Sequence, residues 1–304
     1  MPRRASPDPP LRTLALREEA IDAGLTGDQV RQRVRSGAWE RVRRGVYVPD
    51  PASAFAGLDD FARARIEHVH RAIAAAERNP GAVICDASAG IVHRLPVLEI
   101  PSRVQMGVPA GRWTGSRSGI DFRLRDFADD ELVHGRVPVA TAARAWLDLA
   151  CTGSLADALA AGDAGLRAGA LTMPDLDAML ARTEGRRGRV KAARAHGLLD
   201  PLRESPLESA SFAYFAAHRI PLPRCQVVLY AADGRFLGRV DVWWECARLV
   251  GECDGRMKYA TADDLYAEKR REDALRQEGF RVTRWGLADL RDRALADRLR
   301  RLLA

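Results

Sequence analysis

The last hundred residues limit the fold most tightly, because short strand-like runs crowd around one long helical stretch. Residues 225–230, 236–244 and 247–255 read as three strands, 262–278 as a helix ending at Gly279, and 280–285 as a fourth strand. Ala232-Asp-Gly-Arg235 carries hairpin-turn chemistry between the first two strands. Ser205-Pro-Leu-Glu208 opens a preceding helix with Ser at the N-cap, Pro at N1 and Glu at N3. Residues 287–303 close the chain as another helix. The order α-β-β-β-α-β-α over residues 200–304 is that of an α/β domain.

The other end of the chain has a different character. Residues 1–10 form a proline-stiffened, frayed tail with no apolar stretch behind its arginines, so a secretory signal is not expected. Leu11 to Ala23 has helical periodicity and stops at Gly24. Thr26-Gly-Asp-Gln29 matches a capping box that opens a second helix to Arg35, and Trp39 to Val48 alternates as a hairpin bent at Gly45. Two short helices and a hairpin predict a winged helix-turn-helix over residues 11–50. Within it, residues 31–44 hold Arg31, Arg33, Arg35, Arg41, Arg43 and Arg44 against a single acid, Glu40. A helix and wing so charged can set one element in a DNA groove and the other over phosphates; the plain alternative is a solvated basic face. Residues 51–195 alternate a helix (59–78), a strand-rich stretch (83–140) and Ala/Leu-rich helices, an α+β middle domain. His68, His70, His93 and His134 in this stretch lack metal-ligand spacing and read as structural.

Composition narrows the partners. Forty-eight basic against 41 acidic residues leave a net charge of +7, a bias toward polyanions. Among the basic residues only Lys191, Lys258 and Lys269 are lysines. No apolar run approaches the roughly 18–20 residues that span a bilayer, so no membrane partner is expected. The five cysteines never form a C-x-x-C pair, which argues against a disulfide framework and a structural zinc and points to the cytoplasm.

Three carboxylates carry the candidate chemistry. Asp241 lies inside a strand between Val240 and Val242, where Asp is disfavoured. Glu252 and Asp254 are two apart on the next strand, so alternation puts them on one face. A tight hairpin through Glu245-Cys-Ala247 brings Asp241 beside Glu252. Carboxylates so close repel unless a cation neutralises them, and an oxygen-rich set suits Mg²⁺ or Mn²⁺ rather than zinc. Such an ion would activate a water for phosphodiester hydrolysis, with Lys258 or Lys269 stabilising the charge that develops. Arg271 and Asp273 support the site from the long helix. Lys269 and Asp273, four apart, read equally as a solvated ion pair, and Glu208 equally as the N3 member of its capping box. No histidine follows His218, so His-based nuclease chemistry is not expected here.

Arg239-Val-Asp241, Gly251-Glu-Cys-Asp-Gly-Arg-Met-Lys-Tyr259, Glu268-Lys-Arg-Arg-Glu-Asp-Ala-Leu275 and Arg284-Trp285 together resemble the very-short-patch-repair-endonuclease-like domain of the PD-(D/E)xK nuclease superfamily. The resemblance implies a restriction-endonuclease-like α/β domain, Asp241 and Glu252 as metal ligands, and Glu208 as the helix carboxylate. The lysine such a motif carries two residues after its Glu is here Asp254, so that role is vacant or moves to Lys258 or Lys269. Trp39 with Arg44-Gly-Val-Tyr47, Ser88-Ala-Gly90, Leu95-Pro-Val97 and Val137-Pro-Val-Ala-Thr141 with Trp146-Leu-Asp-Leu149 resemble AbiEi-type antitoxins of type IV toxin–antitoxin systems. That second resemblance implies DNA binding, autoregulation and a cognate toxin as partner. Two functions follow as expectations: a divalent-metal-dependent DNA endonuclease, or an antitoxin-like regulator whose nuclease-like domain does not cut.

Overall fold

The computed structural model describes residues 14–254 and 262–304, without the side chains of 54, 262–265, 267 and 268. The tail at 1–10 and Lys258 lie outside the described residues. The fold is mixed α/β, divided into two compact units: residues up to 94 with 99–145, and residues 95–98 with 146–304.

The first unit opens with β1 (Ala15–Leu16), α1 (Arg17–Asp22), α2 (Gly27–Arg35), β2 (Trp39–Arg43) and β3 (Val46–Pro49). The capping box at α2 forms as its sequence demands: Thr26 Oγ1 accepts from the Gln29 amide at 3.2 Å, and Gln29 Oε1 accepts from the Thr26 amide at 2.7 Å. The stretch before α1 is partly strand rather than helix, because Ala15 and Leu16 pair with Tyr47 and Val46. The three strands form an antiparallel sheet in the order β1-β3-β2, turned at Gly45 with φ +84°. Ala20, Val30, Trp39 and Tyr47 pack together beneath it.

After α3 (Pro51–Ala54), α4 (Asp60–Glu77) runs from an Asp59 cap whose carboxylate accepts from the Ala62 amide at 2.7 Å. Next come β4 (Val83–Ile84), α5 (Asp86–Val92), β5 (Val104–Val108), β6 (Gly115–Arg117), β7 (Ile120–Leu124), β8 (Leu132–His134) and β9 (Pro138–Ala140). They build a six-stranded sheet ordered β6-β7-β5-β4-β9-β8, whose apolar face meets the alanine-rich side of α4.

Helix α6 (Ala142–Thr152) leads into α7 (Leu155–Arg167), α8 (Met173–Ala181), α9 (Arg189–His196) and α10 (Pro206–His218). Then follow β10 (Arg224–Tyr230), β11 (Phe236–Trp244), β12 (Leu249–Cys253), α11 (Ala262–Gln277), β13 (Arg281–Trp285) and α12 (Ala294–Leu303). The four strands lie in chain order, β10, β11 and β12 antiparallel and β12 parallel to β13. The sequence pattern divides the chain near 195–200, whereas in the structure the helices from Trp146 onward belong with this sheet. A buried polar junction explains why: Asp163 on α7 accepts from Arg203 Nη1 at 2.6 Å, Ser209 Oγ at 2.7 Å and the Asp200 amide at 2.8 Å. Breaking such a pair would strand a buried charge, so α7 and the start of α10 belong to one core.

Candidate functional site

Three of the acidic residues singled out in the sequence, Asp241, Glu252 and Glu208, lie at one end of the four-stranded sheet, while Asp254 and Asp273 do not join them. Val242 pairs with Gly251, so Asp241 and Glu252 stand side by side one step further along β11 and β12. Asp241 is also tied to the neighbouring strand through its side chain: its Oδ2 accepts from the amide of Cys253, the residue after Glu252, at 2.7 Å. Glu252 is buried and accepts from Arg271 Nη2 on α11 at 3.0 Å, while Arg271 Nη1 donates to the Arg239 carbonyl at 3.3 Å.

Glu208 comes to the same place from the first turn of α10. Its Oε1 accepts from Ser205 Oγ at 2.8 Å, and its Oε2 accepts from the Glu204 amide and from Gln226 Nε2, each at 2.9 Å. Burial pushes the Glu208 carboxyl above the usual range, with the neighbouring Asp241 charge adding to the effect and these hydrogen bonds opposing it.

Gln226 is the residue that sequence patterning missed. It lies opposite Asp241, between the pairs Cys225↔Val242 and Val227↔Val240, and holds φ +49° inside a strand. A left-handed residue there rotates the strand pair. Val242 and Cys225 accordingly pack into one apolar cluster, and Val240 and Val227 into another. The reversal puts Asp241 at the seam between the two clusters. A polar residue in a β-rich run gives no sequence signal of this; only the backbone angle marks it.

The remaining expected residues scatter. Asp254 falls just past the end of β12, so the alternation that would align it with Glu252 does not reach it. Its amide donates to the Trp285 carbonyl at 2.9 Å, and its carboxylate lies 4.0 Å from Arg284. Arg284 also pairs with Glu272 at 2.8 Å. Lys269 and Asp273 are exposed on α11. Among the described residues, no three His, Cys, Asp or Glu side chains come together as ligands for a metal ion. The expected trio of Glu208, Asp241 and Glu252 does not fit one as arranged: both Glu208 oxygens are engaged, and a guanidinium already compensates Glu252. Of the expected capping box only half forms: Ser205 Oγ accepts from the Glu208 amide at 3.2 Å, while the Glu208 carboxylate takes the Glu204 amide and the Ser205 hydroxyl rather than the Ser205 amide.

In the first unit, Arg31, Arg33 and Arg35 on α2, and Arg41 and Arg44 on the β2–β3 hairpin, are exposed. Arg31 pairs with Asp28, and the Arg33 guanidinium lies 5.3 Å over the Trp39 ring. Arg43 departs from the set: it is half-buried, donates to the Ser118 carbonyl, and burial lowers its pKa. It serves the packing of its unit rather than an outward contact.

No family model matches the chain. A crystal structure of the RV2827C protein from Mycobacterium tuberculosis is 15% identical with a TM-score of 0.38, covering 72% of this chain and 84% of that one. Among the described residues, no helix is long and apolar enough to cross a membrane. At the sequence level the chain is similar to the uncharacterized proteins MT2308 and Rv2248 of Mycobacterium tuberculosis (strains CDC 1551 / Oshkosh and ATCC 25618 / H37Rv), each 27% identical over 270 residues that span 88% of this chain and 92% of theirs.

Proposed function

We propose that this chain is a DNA-binding protein in which α1, α2 and the β1-β3-β2 sheet act as a winged helix-turn-helix. The C-terminal unit is then an endonuclease-like domain that grips DNA without cutting it, as in an antitoxin-like regulator. The observation that carries this reading is the exposure of Arg31, Arg33, Arg35, Arg41 and Arg44 on one helix and the hairpin after it. Guanidiniums so displayed suit phosphate contact, a role in which each neutralised phosphate releases counterions. Binding of duplex DNA, followed by fluorescence anisotropy, should therefore weaken steeply with salt. Replacing Arg35, Arg41 and Arg44 together by Ala should reduce the salt slope by about one per arginine lost. An unchanged slope and affinity in that variant would sink the assignment.

A second reading, a Mg²⁺-dependent endonuclease, draws support from the juxtaposition of Asp241 and Glu252. It expects nicking of supercoiled plasmid with Mg²⁺ or Mn²⁺, abolished by Asp241→Ala or Glu252→Ala while DNA binding survives. The engaged oxygens of Glu208 and the Arg271–Glu252 pair favour the first reading.

A further inference from the structure

We infer that Arg271 supplies from within the chain the positive charge that the Asp241–Glu252 carboxylates require, so that this site closes without a divalent ion. Two carboxylates on adjacent strands repel, and burial strengthens the repulsion. Glu252 is buried and bonded to Arg271 Nη2 at 3.0 Å. The guanidinium is anchored a second time, through Nη1 on the Arg239 carbonyl. Its stem lies over Gly238, where a Cβ would come within 3.1 Å of Arg271 Cδ. Only 23% of the Arg271 side chain is exposed, so this is a docked group and not a surface arginine that happens to reach an acid.

A guanidinium keeps its charge at any ordinary pH, so deprotonation cannot clear the position for a metal. Mg²⁺ also demands several oxygens in near-octahedral array, and Glu208 would have to abandon Ser205, Glu204 and Gln226 to join one. The inference deepens the non-cutting reading of the C-terminal unit and does not depend on DNA contact by the exposed arginines of the first unit.

The test is titration of the full-length protein with Mn²⁺ alone, free Mn²⁺ being read by electron paramagnetic resonance. Arg271→Ala should bind Mn²⁺ at least about tenfold more tightly than the unmodified chain, because an unbalanced acidic pair remains. Arg271→Lys, which keeps a positive charge, should bind no better than the unmodified chain. Adding Glu252→Gln to Arg271→Ala should remove the gain. Circular dichroism melts check folding; if Arg271→Ala does not fold, Arg271→Gln removes the charge while keeping an amide donor. An unmodified chain that binds Mn²⁺ as tightly as the Arg271 variant overturns the inference, as does a charge-removing variant that gains nothing. Anisotropy with duplex DNA on the same samples scores the DNA-binding reading separately.

Discussion

His68 shows how one buried side chain ties stability to pH. It is fully buried on α4, and its Nε2 lies 2.8 Å from Ser88 Oγ. Ser88 Oγ accepts from the Gln105 amide at 2.9 Å, which leaves its hydroxyl proton for the imidazole. Burial, with Arg71 nearby, lowers the His68 pKa to about 4, opposed in part by the Pro101 carbonyl. In the unfolded chain the imidazole takes up its proton near 6.5. Between those values the unfolded state holds more protons, so stability is complete above the upper one and is lost as pH falls toward the lower. The loss from His68 alone amounts to roughly 3 kcal/mol, and burial shifts His70 and His93 in the same direction. Hydrogen exchange in α4, corrected for intrinsic rates, should show protection falling from pH 7 to pH about 4.5. His68→Gln should flatten that dependence; equal slopes in both proteins would refute the assignment.

At the scale of elements, β12 shows how closely the site strand is packed. A Cβ at Gly251 would lie 2.4 Å from Trp285 Cη2 and 2.6 Å from Val242 Cγ2. Gly251→Ala should therefore destabilise the protein by about 1–3 kcal/mol, measured by urea unfolding. A midpoint unchanged from the unmodified chain would mean that the Trp285 ring has room to move aside. Helix starts are legible in the sequence where Thr26 and Ser205 announce their helices through side-chain chemistry that acts within a few residues. Strand ends are less so. β1 exists only because β3 lies beside it, and β12 stops at Cys253, one residue before Asp254 would have joined Glu252.

For the molecule as a whole, none of the five cysteines is joined in a disulfide. Cys85, Cys151 and Cys253 are buried, Cys225 is half-buried with its thiol pushed up to about 12, mainly by burial, and Cys246 alone is exposed. Since thiolate and access together set reactivity, a disulfide-exchange reagent should label one thiol quickly in the native protein. All five should react in denaturant. Two or more fast equivalents in the native state would contradict this distribution of burial.

Local rules carried the sequence a long way: caps, turn glycines and apolar periodicity located most helices and strands, and the hairpin placed Asp241 beside Glu252. These features act over a few residues, and each residue's own chemistry supplies the reason. The left-handed turn at Gln226, the docking of Arg271 onto Glu252 and the withdrawal of Arg43 into its unit were decided only by tertiary structure. Each depends on what a distant segment brings to the same place, and no periodicity in the chain records that.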